Sequence, residues 1–155
     1  MSVRADVETI RKIPIFSECE PAHLQLLSFS ATRESFQSGM TLMVQGETGT
    51  AAFLILNGSV EILTAENGSL GQVGPGAFLG EVAMIGANPC SITVTAIGTV
   101  STARIDRELF MRVAREFPEF GTAVLRMLTE KLELAVGELG EARQLLQKAR
   151  SFRSL

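Results

Sequence analysis

The spacing of apolar residues divides the chain into three stretches. Residues 1–28 read as a helical lead-in, in which Pro21 suits the first turn of a short helix that carries Leu24, Leu26 and Leu27 toward a core. From residue 29 to 105 the pattern changes to short runs rich in Gly, Thr and Val, as strands are. Thr41 to Gln45 is one such run. Ala51 to Leu56, then Asn57-Gly58, then Ser59 to Thr64 predict a hairpin, because Asn-Gly accepts the positive φ that a tight turn demands. Glu66-Asn67-Gly68-Ser69 predicts a second turn, leading into Leu70 to Val73. Ile92, Val94 and Ala96 alternate with Thr93 and Thr95, the period of a half-buried strand, and Val100 to Ile105 is a further run. Many short strands with evenly spaced turns predict a mainly β fold, closed or double-layered, of the sandwich or jelly-roll kind.

Residues 106–155 return to helical spacing. Asp106 serves as N-cap for a helix over Arg107 to Glu116, which Phe117-Pro118 ends. A longer helix is predicted over 119–149. In it Leu125, Leu132, Leu139 and Leu146 recur every seven residues, with Leu128, Ala135, Ala142 and Ala149 three later. That is the seam of a paired helix and predicts homodimerisation through Leu125, Leu128, Leu132 and Leu139. The same face also suits packing on the chain's own barrel, and the two uses can coexist. Gly137 and Gly140 weaken the seam, each costing roughly 1 kcal/mol relative to alanine.

Composition narrows the chemistry. The 155 residues make one ordinary domain, and 46% apolar with 20% charged residues is globular usage. The longest unbroken apolar run, Ala51 to Leu56, is far too short to span a bilayer, and no secretion signal is expected. Cys19 and Cys90 cannot form a disulfide framework, so a reducing cytoplasm is the expected compartment. The single histidine, His23, excludes a metal site of clustered imidazoles, and two cysteines exclude a Cys-rich zinc site. No metal or cofactor is expected. His23 lies in the predicted helix after Pro21 and reads as a solvated helix histidine rather than a catalytic one.

The net charge of −3 hides an asymmetry. Residues 34–103 hold five acids, Glu34, Glu47, Glu61, Glu66 and Glu81, and no base. The bases lie in the flanks, with Arg33 the last before this stretch and Arg104 the first after it. A nucleic-acid surface needs a concentrated basic face. Only Arg143, Lys148, Arg150 and Arg153 approach one, and a solvated helix end accounts for them.

The densest chemistry lies between residues 74 and 96. Gly74-Pro75-Gly76 is a tight turn. Gly80 allows another backbone or a ligand to approach closely. Glu81 to Ile85 fits one short helical turn with Glu81 at its positive end, where exposed N–H groups attract anions. The Glu81 carboxylate can accept hydrogen bonds from a hydroxyl pair such as a ribose. A bulge at Gly80, with Glu81 complementing the helix dipole, explains the same residues equally well.

Phe78-Leu79-Gly80-Glu81-Val82-Ala83-Met84-Ile85, followed after four residues by Cys90-Ser91-Ile92-Thr93-Val94 behind Pro89, resembles the phosphate-binding cassette of cyclic nucleotide-binding domains. Ile13-Pro14-Ile15-Phe16, the Phe53 to Val60 segment and the helices after Asp106 fit the same family plan, so the resemblance covers about residues 7–135. It implies an eight-stranded jelly roll, or double-stranded β-helix, with flanking helices at both ends, and a regulatory module rather than an enzyme. The resemblance divides the chain into lead-in 1–28, jelly roll 29–105 with its cassette at 78–96, and C-terminal helices 106–155. Carried over, Phe78, Leu79 and Val82 belong to the ligand-binding cassette and Gly80 offers backbone N–H. Glu81 holds the ribose 2′-hydroxyl, Ser91 helps cradle the cyclic phosphate, and Leu70 and Val73 lie beside the base.

Two departures stand out. Where the family places a phosphate-pairing arginine this chain has Cys90, and where it places a small alanine this chain has Ile92. Near Ala135 and Val136, where catabolite-activator-like members place polar groups for adenine, both residues are apolar. Losing a charge-assisted arginine contact costs about 1.5–3 kcal/mol. Within 34–103 nothing replaces it, which leaves Arg126, Lys131 or a second subunit as sources. The resemblance thus implies a regulatory module of weak cyclic nucleotide affinity, acting through a second copy or a protein partner. A working cyclic AMP or GMP sensor using Gly80, Glu81 and Ser91 is the alternative. Cys90 itself admits a redox role, a position relaxed from phosphate binding, or part of a pocket for a less anionic ligand. With only six residues after Ala149, no DNA-reading domain is expected, and no membrane contact.

Overall fold

A computed structural model describes residues 3–135, with side chains described between residues 7 and 130. Among the described residues two compact units emerge: residues 30–110, and the flanking segments 3–29 with 111–135.

The β unit holds six strands: β1 (Thr32–Phe36), β2 (Thr41–Met43), β3 (Ala51–Thr64), β4 (Gly68–Val73), β5 (Phe78–Leu79) and β6 (Thr93–Asp106). They run antiparallel in the order β1-β6-β3-β4, with β2 on β6 and β5 on β3. The two 14-residue strands pair with each other, and each serves two further neighbours. The first part of β3 pairs β5 at Phe53 and Leu54, and the last part pairs β4 from Val60 to Thr64. β6 likewise meets β2 at Val94 and Thr95, then β1 from Val100 to Arg104. Counting the halves separately recovers the eight strands of the expected jelly roll. Its flanking helices are present as well, so the fold is the expected one: mainly antiparallel β with helices at both ends.

The predicted hairpin at Asn57-Gly58 is corrected. Ala51 to Thr64 is a single strand, paired with β6 from Ala51↔Asp106 to Leu63↔Thr93. Register shifts on either side of Asn57 mark a bulge, not a reversal. Gly58 has φ +89°, and a Cβ there would stand 2.4 Å from the Thr99 carbonyl oxygen. Its glycine therefore bends the strand against its neighbour, a need that looks the same as a turn in the sequence. The run expected at Ile92–Ala96, from Thr93 onward, and that at Val100–Ile105 likewise merge into one strand.

The core of this unit is built from Phe36, Met43, Phe53, Ile55, Val60, Val94, Ala96 and Val100, all buried. Phe36 and Phe53 meet edge to face at 5.9 Å. Each fully buried side chain of this kind contributes about 1.5–3 kcal/mol through removal from water.

In the helical unit α1 (Val3–Arg11), a 3-10 turn (Pro14–Phe16) and α2 (Pro21–Ser30) come first. After α3 (Glu81–Ile85), which belongs to the β unit, follow α4 (Arg107–Glu116), whose first turn also belongs to the β unit, and α5 (Pro118–Ala135). The Asp106 cap is present: its Oδ1 accepts the Leu109 N–H at 2.7 Å. Leu24 and Leu27 are fully buried, and Phe16 stacks on Phe120.

Two further expectations change here. His23 is not solvated; it is 5% exposed, with its ring 4.4 Å from that of Phe117 and edge-on to Phe120. α2 thus presents His23 to Phe117 and Phe120 rather than outward. Leu125 and Leu128 are buried within a single chain, so this half of the predicted dimer seam is not presented to a second copy. Leu132 and Leu139 lie outside the described side chains, as do Lys131, Val136 and the basic C-terminal residues. Among the described residues no helix is long and apolar enough to cross a membrane.

Candidate functional site

The segment expected to carry the chemistry is built around Gly80. It ends β5 in the left-handed region (φ +85°, ψ 24°) and caps α3. A Cβ there would stand 3.0 Å from the Ala51 carbonyl oxygen and 3.4 Å from Met43 Cε. The close approach expected of Gly80 is therefore made by strand β3 itself. Its carbonyl accepts the Ala83 and Met84 N–H groups, which starts the short helix. Glu81 occupies the first turn and is half-buried, while Ala83, Met84 and Ile85 face inward.

The other half of the cassette is tied to the loop after β2. Thr48 bridges Pro89, Gly49 N–H donates to the Asn88 carbonyl, and Cys90 N–H donates to the Glu47 carbonyl at 2.8 Å. Gly46 N–H in turn donates to the Cys90 carbonyl at 2.9 Å. Both backbone polar groups of Cys90 are thus engaged within the protein. Gly49 packs so tightly that a Cβ would stand 2.7 Å from Ala83 Cβ and 3.1 Å from Cys90 Sγ.

The remaining residues of the expected site spread out. Leu70 is exposed on β4, and Val73 packs on the core, paired with Val60. Phe78 and Leu79 form β5, half-buried against Leu54 and Phe53, and Val82 is half-buried in α3. Ser91 is exposed. Cys90 and Ile92 are half-buried and pack on the core cluster. Burial pushes the Cys90 thiol above its ordinary value, with the Glu47 charge adding to the rise, so the thiol stays protonated at neutral pH. That is the opposite of the activated thiolate a redox role requires.

Two residues missed by sequence reading now matter. Arg104 and Arg107, treated as flank, fold into the β unit. The Arg107 guanidinium donates to the Gly49 carbonyl at 3.0 Å and the Ala83 carbonyl at 3.4 Å, and the Arg107 backbone N–H donates to the Thr50 carbonyl. It bolts α3, the 49–50 loop and the start of α4 together, with its buried Nε unpartnered. Arg104 stands between Glu34 (3.8 Å) and Asp106 (3.4 Å). The one available signal was positional: these are the first bases after a seventy-residue stretch without any. Arg126, the other suggested cation, is paired with Glu18 in the helical unit.

A cavity of about 360 Å³ opens beside Arg104, Glu34, Glu47 and Thr50, floored by Phe36 and Phe53. Of the residues expected to bind ligand, Cys90 alone lines it.

Residues 33–117 match the family model described as the cyclic nucleotide-binding domain. A cyclic nucleotide-gated potassium channel of Mesorhizobium japonicum is 29% identical over 124 residues, covering 80% of this chain and 34% of the channel. A CRP-like cAMP-activated global transcriptional regulator of Mycobacterium tuberculosis is 27% identical over 159 residues, covering 94% of this chain and 71% of the regulator. The chain thus spans about a third of the channel's length. Among solved structures, the N-terminal domain of a transcriptional regulator from Streptomyces coelicolor superposes with a TM-score of 0.75 at 23% identity, over 87% of this chain and 95% of that one.

Proposed function

Because the chain belongs to the cyclic nucleotide-binding domain family, we propose that it is a non-enzymatic regulatory module of weak cyclic nucleotide affinity, acting through a second copy or a protein partner. The observation that carries this reading is Cys90. The family's phosphate-pairing position holds a neutral thiol whose N–H and C=O are already bonded to Glu47 and Gly46. Ile92, at the family's small-residue position, packs on the core. Arg104 lines a cavity that shares only Cys90 with the expected site, and Arg107 is engaged with two carbonyls. A missing charge-assisted contact of about 1.5–3 kcal/mol is a loss of roughly tenfold to several hundredfold in affinity.

A cytoplasmic setting is supported by the two unpaired cysteines. DNA recognition is no part of this reading, because residues 30–110 carry seven acids against three bases, the wrong sign for a phosphate-facing surface. Self-association would use Leu132 and Leu139, since Leu125 and Leu128 are already buried.

Titration calorimetry of the unmodified chain with cyclic AMP and cyclic GMP tests the proposal. No binding in the micromolar range is expected; micromolar binding of either overturns it. That outcome would favour the second reading, a working sensor. It is supported by the left-handed Gly80 cap, the exposed Ser91 and a relative named as cAMP-activated.

A further inference from the structure

The cavity beside Arg104 lies outside the cassette apart from Cys90, and its wall has a chemistry of its own. At about 360 Å³ it sits near the lower end of the roughly 300–1,000 Å³ typical of small-molecule sites, which suits a ligand smaller than a nucleotide. Its wall carries both signs of charge: the Glu34 and Glu47 carboxylates and the Arg104 guanidinium. Its floor, Phe36 and Phe53, is apolar and buried.

Arg104 is held loosely. Its Nε is 3.8 Å from Glu34, Nη1 3.4 Å from Asp106 and Nη2 3.5 Å from the Thr50 hydroxyl. All are longer than the roughly 2.7–2.9 Å of a tight charge-assisted bond, so a guanidinium with five N–H donors keeps bonding capacity toward the cavity. A simple anion meeting Arg104 would also face two carboxylates. A simple amine meeting the carboxylates would face the guanidinium. A molecule with both charges satisfies both walls.

The geometry points to a binding site for a small zwitterion of the α-amino-acid class. Its carboxylate bonds to Arg104 Nη2 and the Thr50 hydroxyl, its ammonium faces Glu34 and Glu47, and an apolar side chain rests on Phe36 and Phe53. Nucleotide binding is neither required nor excluded by this assignment.

The test titrates the full chain with L-leucine, L-methionine and L-phenylalanine, read by calorimetry and by the amide shifts of residues 48–51. N-acetyl-L-leucine lacks the ammonium and L-leucinamide lacks the carboxylate. At least one free amino acid is expected to bind in the millimolar range or tighter. Each of the two leucine derivatives should bind about tenfold more weakly than leucine, as loss of one charge-assisted contact implies. Arg104→Gln should abolish binding. Thr50→Val changes one exposed hydroxyl, should leave folding intact, and should weaken binding several-fold. Equal binding of leucine and both derivatives overturns the assignment. So does the absence of any response to all three amino acids at millimolar concentration, or full binding by folded Thr50→Val and Arg104→Gln.

Discussion

The cassette and the charged cavity of the β unit share Cys90 and little else. In the cassette the backbone keeps its form: Gly80 is left-handed, α3 is one short helix, and residues 88–90 pair with residues 46–49. It carries no base, since residues 78–96 hold none and Cys90 is a neutral thiol. In the cavity the charges are gathered, Arg104 with Glu34 and Glu47, on a surface no cassette describes. The difference teaches that backbone form and side-chain charge are held by different forces. At Gly49 and Gly80 an added Cβ would stand only 2.7 Å from Ala83 Cβ and 3.0 Å from the Ala51 carbonyl oxygen, so packing holds both positions to glycine. An exposed or half-exposed charge pays little when it is moved, because water screens it.

The sharpest way to break this comparison is at the glycine. Gly80→Val should destabilise the fold by about 2–4 kcal/mol, combining left-handed strain with a clash against Ala51. Urea unfolding measures it, and an unchanged midpoint would mean the cassette backbone is not locked.

Restoring the charge comes next. Cys90→Arg with Ile92→Ala should raise cyclic nucleotide affinity by about tenfold to several hundredfold. Calorimetry on the folded double variant reads it, and indifference to millimolar ligand would show that the cassette's form alone does not make a site. Arg107→Leu removes the donor to the Gly49 and Ala83 carbonyls and should cost about 1–3 kcal/mol. Hydrogen exchange at residues 83–86 should quicken at the same time; protection unchanged there would dissociate Arg107 from the cassette.

The smallest effect concerns the thiols. Burial raises Cys19 from an ordinary 9.0 to about 12, and raises Cys90 as well. A raised thiol is neutral when folded and ionised when unfolded, so its contribution to stability is present below pH 9 and is lost as pH rises from 9 toward 12. Stability should decline over that window, less so in Cys19→Ala. Both thiols should react slowly with a disulfide reagent at pH 8, and fast reaction at Cys90 would restore the redox reading.

Much of the fold was legible along the chain. Period-two runs marked the strands, and Asp106 and Pro118 bounded α4 where the structure has it. The Gly-Glu start of α3 was legible too, because a short helix after a glycine is a local property. Where sequence reading failed, the cause was non-local. Asn57-Gly58 looks like a turn until β6 pairs with the strand on both sides of it. His23 looks solvated until the rings of Phe117 and Phe120 close over it.

By itself the sequence determined the helical or strand spacing of most elements, the Asp106 cap, the family and the absence of any base from 34 to 103, because each is written in residues adjacent in the chain. Only the tertiary structure decided that Leu125 and Leu128 turn inward, and that Arg104 and Arg107 fold among residues 34–50. Burial and ion pairing act between residues far apart in sequence, and their partners exist only once the strands have closed on one another.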